Sequence, residues 1–243
     1  SNRGQKVNKS PVQGFSETLN LEFRTPQSLK NNDEEFEYLK ILNPDLVIVV
    51  AYGNIIPKEM LNLSKKGFIN VHASLLPLYR GAAPIQRAIM NLDKETGISI
   101  MKINEKLDAG PVCSSYKVEI GVNDNSLTLS DKLSLLASEK ILDVVDDIME
   151  DKIKFKDQNH ERATYASKIQ KNEGKINWNN TANKIIGQIN GLYPNPGAWF
   201  NFNGERYKIL SARISEKKEQ IGIVLSENLE VGCIDFSIEI MLI

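Results

Sequence analysis

The chain has 243 residues, 41% hydrophobic and 25% charged, and its 30 basic and 31 acidic side chains leave a formal charge of -1. This composition fits an ordinary globular protein of one large or two modest domains and excludes a disordered chain or a generally basic nucleic-acid coat. Any RNA contact must therefore come from local patches.

No apolar run approaches the roughly eighteen residues that a membrane span needs, so no membrane partner is expected. Cys113 and Cys233 stand far apart without metal-ligand spacing, which predicts reduced, buried thiols and no metal. The chain opens Ser1-Asn2-Arg3-Gly4, with neither an initiator Met nor a signal-peptide pattern, and closes on an apolar, strand-like run over 236–243. Both ends read as those of a fragment, from which a targeting peptide could have been lost.

Residues 1–40 are mostly polar, with Pro11 and Pro26 as breakers and a helix expected over 33–42. Leu46-Val47-Ile48-Val49-Val50 is a short, unbroken, mostly β-branched run, which predicts a strand buried on both faces, as in a parallel sheet. A short helix is expected over 57–63, with proline in its first turn, and a strand over 68–71. A helix follows over 84–92, with Ile85, Ala88, Ile89 and Leu92 on one face.

Strands are expected over 97–103 and 115–120. A long amphipathic helix is expected over 127–149, its core stripe Leu129, Leu133, Leu136, Ile141, Val144, Val145 and Ile148. Strands alternating with helices predict an α/β sheet. The alternation stops near Lys152, where a charged linker begins. Beyond it come a helix over 181–190 and a hairpin turning at Asn203-Gly204, the start of a small β-rich module.

The most informative segment is Asn70-Val71-His72-Ala73-Ser74-Leu75-Leu76-Pro77, continuing to Arg80-Gly81-Ala82-Ala83-Pro84-Ile85-Gln86. Side chains alternate along a strand, so Asn70 and His72 share one face at its carboxyl end, where open α/β sheets bind ligands. An amide donor beside a switchable proton could hold a developing oxyanion. On spacing alone, a lone histidine is more often structural. The other histidine, His160, falls in the charged linker, where a solvated role is expected.

Asn-x-His followed by Ser-Leu-Leu-Pro and Arg-Gly resembles the signature of the folate-dependent formyltransferases, and Leu107-Asp108-Ala109-Gly110 resembles the family's later Leu-Asp-x-Gly turn. Carried over to matching positions, the resemblance implies Asn70, His72 and Asp108 as the catalytic trio. Asn70 and His72 would donate to the oxyanion. Asp108 would pair with the imidazole and help a water take the amine's proton. The resemblance also implies that Ser74, Leu75, Leu76 and Pro77 line the folate pocket. Val50, Ala51, Tyr52 and Gly53 would lie along the pterin ring, Gly53 allowing close backbone approach.

Within the family, Arg80 to Gln86, Thr164-Tyr165-Ala166-Ser167-Lys168-Ile169 with Ile176-Asn177-Trp178, and Tyr193-Pro194-Asn195-Pro196-Gly197-Ala198-Trp199 resemble the methionyl-tRNA formyltransferases. The implied co-substrate is 10-formyltetrahydrofolate and the implied partner is initiator methionyl-tRNA. The opening resembles a basic loop that grips tRNA, with Arg3, Lys6 and Lys9 against phosphates; Arg206, Lys208, Arg213, Lys217 and Lys218 form a candidate second patch.

The expected architecture is a Rossmann-like catalytic domain over 1–151 with a mostly parallel sheet, a linker over 152–172, and an OB-like β-barrel over 173–243. The family's first strand and helix and its closing strands are expected to be missing. A cytoplasmic monomer is expected, or a mitochondrial one if a targeting peptide was lost. An amino-sugar formyltransferase, or an inactive folate- or RNA-binding relative, is the alternative.

Overall fold

The computed structural model describes residues 9–218, 220–224 and 229–243. Its first element is a helix absent from the sequence expectation, α1 (Pro11–Thr18), in which the Ser10 hydroxyl accepts from the N–H of Gln13 and Pro11 occupies the first turn. Helix α2 (Asp33–Leu42) starts where the Asn32 side chain caps Glu35 N–H, carries three acids in its first turn, and stops at Asn43 in the left-handed region. That is the charge bias a helix dipole favours.

Strand β1 (Val47–Val50) leads through α3 (Lys58–Leu61) to β2 (Phe68–His72), then through α4 (Pro84–Met90) to β3 (Glu95–Lys102) and β4 (Val112–Glu119). The four strands lie in the order β1-β2-β3-β4. The Rossmann-like parallel pairing is carried by β1 and β2, with Val49 opposite Asn70 and Val50 opposite Val71. Strands β3 and β4 extend the sheet antiparallel, His72 facing Ser99 and Ser99 facing Ser115. The link from β3 to β4 holds no helix, so the chain turns straight back on itself.

Burial of β1 on both faces does not hold. The strand sits at the end of the sheet, its residues alternate between half-buried and exposed, and Ile48 and Val50 stay 44% and 62% accessible. Periodicity reported an apolar strand, but burial also needs a layer on each side, and among the described residues none covers this face of β1.

The long helix α5 (Ser126–Met149) begins at a capping box made by Asn125 and Thr128. Its expected stripe faces the sheet: Val144 and Ile148 pack with Ile69 and Ile100, and Leu129 and Leu133 pack with Ile89 and Ile98. Residues 152–168 pack back against the sheet-bearing part of the chain, Val112 and Lys156 exchanging backbone hydrogen bonds and Ala166 bonding to Arg80 and Ala83.

Helix α6 (Ala182–Leu192) lies against α4, where Gly187 and Gly191 leave room; a Cβ on Gly191 would come within 2.5 Å of Met90 Cγ. The hairpin turns at Asn203-Gly204 as expected, joining β5 (Ala198–Phe202) to β6 (Glu205–Ile209), with both turn residues at positive φ. Strands β7 (Ser211–Ser215), β8 (Glu230–Gly232) and β9 (Ser237–Leu242) form a second sheet in the order β7-β9-β8.

The expected barrel is therefore corrected. The C-terminal strands make a two-stranded and a three-stranded antiparallel sheet, not closed on one another, and their core is completed by Ile185 and Ile189 of α6. A helix can cover a sheet face as well as a further strand can.

Candidate active site

Strand β2 places the site. Ile69 and Val71 enter the core on one face, while Asn70 and His72 project from the other, and the strand's parallel pairing with β1 brings the ends of both to one edge. His72 is 6% exposed. Past it the chain curls back over the strand tip: Ser99 Oγ donates to Ser74 O at 2.8 Å and accepts from Leu76 N–H, and Ser74 Oγ donates to Leu78 O at 2.6 Å.

This curl brings the carbonyl of Tyr79 to 2.9 Å from His72 Nε2. A carbonyl oxygen can only accept, so Nε2 carries a proton and donates it. The nitrogen left for chemistry is Nδ1, and Nδ1 lies 3.7 Å from Asp108 Oδ2. Tyr79 itself is pinned, with a positive φ, its N–H on Thr164 Oγ1 and its hydroxyl donating to Asp93 at 2.6 Å. Burial first, and that carboxylate second, push the Tyr79 phenol up to about 12.

Asp108 sits in the link between β3 and β4 with φ of 45°, in the left-handed region where Asp is tolerated better than most residues. Its carboxylate accepts from the N–H of Gly81 at 2.8 Å. Gly81 has φ of 116°, and a Cβ there would meet Ala166 O at 2.8 Å, so strap 80–81 can approach the linker only with glycine at this position.

The structure thus brings His72 and Asp108 together from positions 36 residues apart, with Asn70 two residues before His72 on the same face. The other sequence expectations fare unevenly. Leu76 and Pro77 line an open cavity of about 310 Å³ together with Val112, Cys113 and Gln158, and Leu75 lines a second. Ser74 is fully buried and its hydroxyl is spent on Leu78 O, so its side chain turns the loop and lines no surface.

Val50, Ala51 and Gly53 are exposed and Tyr52 half-buried where β1 ends. No protein atom lies within 4 Å of a Cβ built on Gly53, and its φ of 71° is a conformation that favours glycine. Arg3 and Lys6 lie outside the described residues, and Lys9 pairs with Glu17 at 2.6 Å. In the second patch, Arg213 pairs with Glu239 and Lys217 with Glu230, whereas Arg206 stacks over Trp199 at 3.8 Å and Lys218 lies over Phe236.

Sequence reasoning missed the ties beneath the site. His160 is exposed as expected, yet its Nδ1 takes a 2.9 Å hydrogen bond from Arg80, a donor-only group, so that nitrogen is unprotonated. Arg80 is 3% exposed and also donates to Gln158 Oε1. No local pattern in Phe155-Lys156-Asp157-Gln158-Asn159-His160 marks a buried glutamine. Among the described residues, no group of three or more His, Cys, Asp or Glu side chains is arranged to hold a metal ion, and no helix is long and apolar enough to cross a membrane.

An imidazole and a carboxylate thus meet at the tip of β2, with an amide two residues earlier on the same face. Residues 2–145 match the formyl transferase model and residues 168–243 match the formyl transferase C-terminal domain. The methionyl-tRNA formyltransferase of Pelagibacter ubique is 64% identical over 233 residues, which are 96% of this chain and 75% of that protein. That of Dictyoglomus turgidum is 45% identical over 234 residues, 95% of this chain and 74% of that protein.

Among solved structures, the Helicobacter canadensis N-formyltransferase in complex with folinic acid and dTDP-3-aminofucose superposes with a TM-score of 0.75 at 18% identity, covering 100% of this chain and 87% of its own. HypX of Aquifex aeolicus in complex with tetrahydrofolic acid gives 0.69 at 19% identity, covering 86% of this chain and 37% of its own. At those identities the likeness is one of fold. This chain belongs to the formyl transferase family and, within it, groups with the methionyl-tRNA formyltransferases.

Proposed function

We propose that the protein transfers a formyl group from 10-formyltetrahydrofolate to the amino group of initiator methionyl-tRNA, with Asn70, His72 and Asp108 as the reacting set. The observation that carries the reading is the pairing of His72 Nδ1 with Asp108 at 3.7 Å while Nε2 is held by Tyr79 O. The nucleophile is the substrate's own amine, so no serine or cysteine is required.

The amine nitrogen attacks the formyl carbon, and the carbonyl electrons move onto oxygen. Asn70 Nδ2–H and, in the imidazolium form, His72 Nδ1–H donate to that oxyanion; such donors are each worth about 10²–10³ in rate. A water hydrogen-bonded to the Asp108 carboxylate, beside the oxyanion, would pass the amine's proton to Asp108. The oxyanion then collapses, the bond from formyl carbon to the folate N10 breaks, and N10 takes up the proton that Asp108 received, which restores the carboxylate. The products are tetrahydrofolate and N-formylmethionyl-tRNA.

Leu75 to Pro77 and the exposed Val50 to Gly53, at the ends of the parallel strands, are the proposed folate contacts. The proposed division into a catalytic part over 1–151, a linker over 152–172 and a tRNA-contacting part over 173–243 is supported by the gap between the two family matches. The test offers 10-formyltetrahydrofolate with methionyl-tRNA or with nucleotide-linked amino sugars. Formylated methionyl-tRNA is expected. A formylated sugar with untouched tRNA would overturn the assignment.

A further inference from the structure

Gln158 belongs to the linker, carries no charge and is 8% exposed, yet it uses both ends of its amide on the site. Its Oε1 accepts from Arg80 Nε at 3.1 Å and Nη2 at 2.6 Å. Its Nε2 donates to the carbonyls of Asp108 at 2.9 Å and Gly110 at 2.7 Å. One side chain thus ties the Asp108 turn to the strap that begins at Arg80. The next residue of that strap, Gly81, donates to the Asp108 carboxylate.

Asp108 needs such a hold. Its φ of 45° is a conformation that a residue with a side chain takes at some cost. Relaxing the turn would swing the carboxylate away from the imidazole, and the Gly81 contact alone fixes only one oxygen. Gln158 engages the peptide carbonyls of Asp108 and Gly110, on either side of Ala109, and so sets the turn itself.

We infer that Gln158 is a positioning residue for the formyl transfer: it acts not on the reacting atoms but through the backbone of Asp108 and Gly110, and so keeps the Asp108 carboxylate in register with His72. The inference rests on the reading of Asp108 as a reacting group. It makes the linker part of the site's framework and not merely a tether.

The test is Gln158→Glu, which keeps length and the acceptor for Arg80 but replaces the donating NH₂ with oxygen against two carbonyl oxygens. Because small misplacements of catalytic groups are costly, kcat is expected to fall about 10–100-fold while KM for the folate and for methionyl-tRNA stays within about three-fold. Gln158→Met, which removes the donor without adding charge, should show the same split.

The deciding arm repeats Gln158→Glu on an Asp108→Ala background. Residues that act as one unit are not additive, so the residual rate should then change by less than about two-fold. Persistence of the full loss on that background, a loss carried in KM, or unfolding of both variants would overturn the assignment. If Asp108→Ala by itself leaves kcat intact, the reading of the active site falls first, and that outcome is distinct from a failure of Gln158 alone.

Discussion

Asp108 faces His72 Nδ1 from 3.7 Å, but the hydrogen bond that holds its carboxylate comes from Gly81, not from the imidazole. The pair is therefore built by the backbone before any substrate arrives, and the gap leaves room for an oxygen to bridge it.

Replacing the charge while keeping the shape tests this pair. Asp108→Asn can still accept from Gly81 N–H, so the turn should stay folded. It loses the proton acceptor, and kcat for formyl transfer should fall by about 10²–10⁴ with folate affinity changed only a few-fold. Steady-state kinetics at saturating methionyl-tRNA would read this out; an unchanged kcat would remove Asp108 from the chemistry.

Arg87 on α4 grips both carboxylate oxygens of Glu173, at 2.5 and 3.0 Å, and joins the sheet-bearing part of the chain to the segment that precedes α6. The Arg87 guanidinium holds the Glu173 carboxyl below its ordinary 4.5. A carboxyl lowered in the folded state stabilises above its unfolded value and loses that contribution as pH falls through the folded one. Glu173→Gln should therefore cost about 1–2 kcal/mol near pH 7. The difference in melting temperature from the unsubstituted protein should shrink below about pH 4.5 and vanish in stronger acid. A difference that is independent of pH would contradict the role given to this pair.

The two thiols should be inert. Burial pushes the Cys113 thiol up, and burial together with the nearby Asp235 charge takes Cys233 to about 11. Thiolate is the reactive form, so at pH 7.5 a disulfide reagent should label neither quickly in the native protein and both after denaturation. Rapid native labelling of Cys233 would show that its part of the core opens.

Salt tests the C-terminal patch of the proposed tRNA contact. Arg213 and Lys217 already face carboxylates, which leaves Arg206, Lys208 and Lys218 as the stronger phosphate candidates of that patch. Methionyl-tRNA affinity should fall with rising salt, and Arg206→Ala should lower the slope of log affinity against log salt by about one. An unchanged slope would take Arg206 out of the interface.

How far the sequence carried the site can be read from particular residues. Asn70 and His72 were legible because strand alternation is local, and the α5 stripe because helical period is. The Asn203-Gly204 turn was legible for the same kind of reason. Helix α1 carries a local signal as well, since Ser10-Pro11 is a cap followed by a proline suited to the first turn, although Pro11 taken alone reads as a breaker.

The open C-terminal sheets, the edge position of β1 and the buried Gln158–Arg80–Asp108 tie were not legible. Each depends on which distant segments meet, and no local period records that. Asp108 could be picked out only through family resemblance, because Leu-Asp-Ala-Gly taken by itself reads as an ordinary turn.

The most direct test of the account is the single-turnover rate of formyl transfer to methionyl-tRNA by His72→Ala, measured beside its tRNA affinity. Loss of one oxyanion donor predicts a rate lower by about 10²–10³, with tRNA binding within a few-fold of the unsubstituted protein. An unchanged rate at saturation, with affinity lost instead, would make His72 a binding residue and contradict the mechanism.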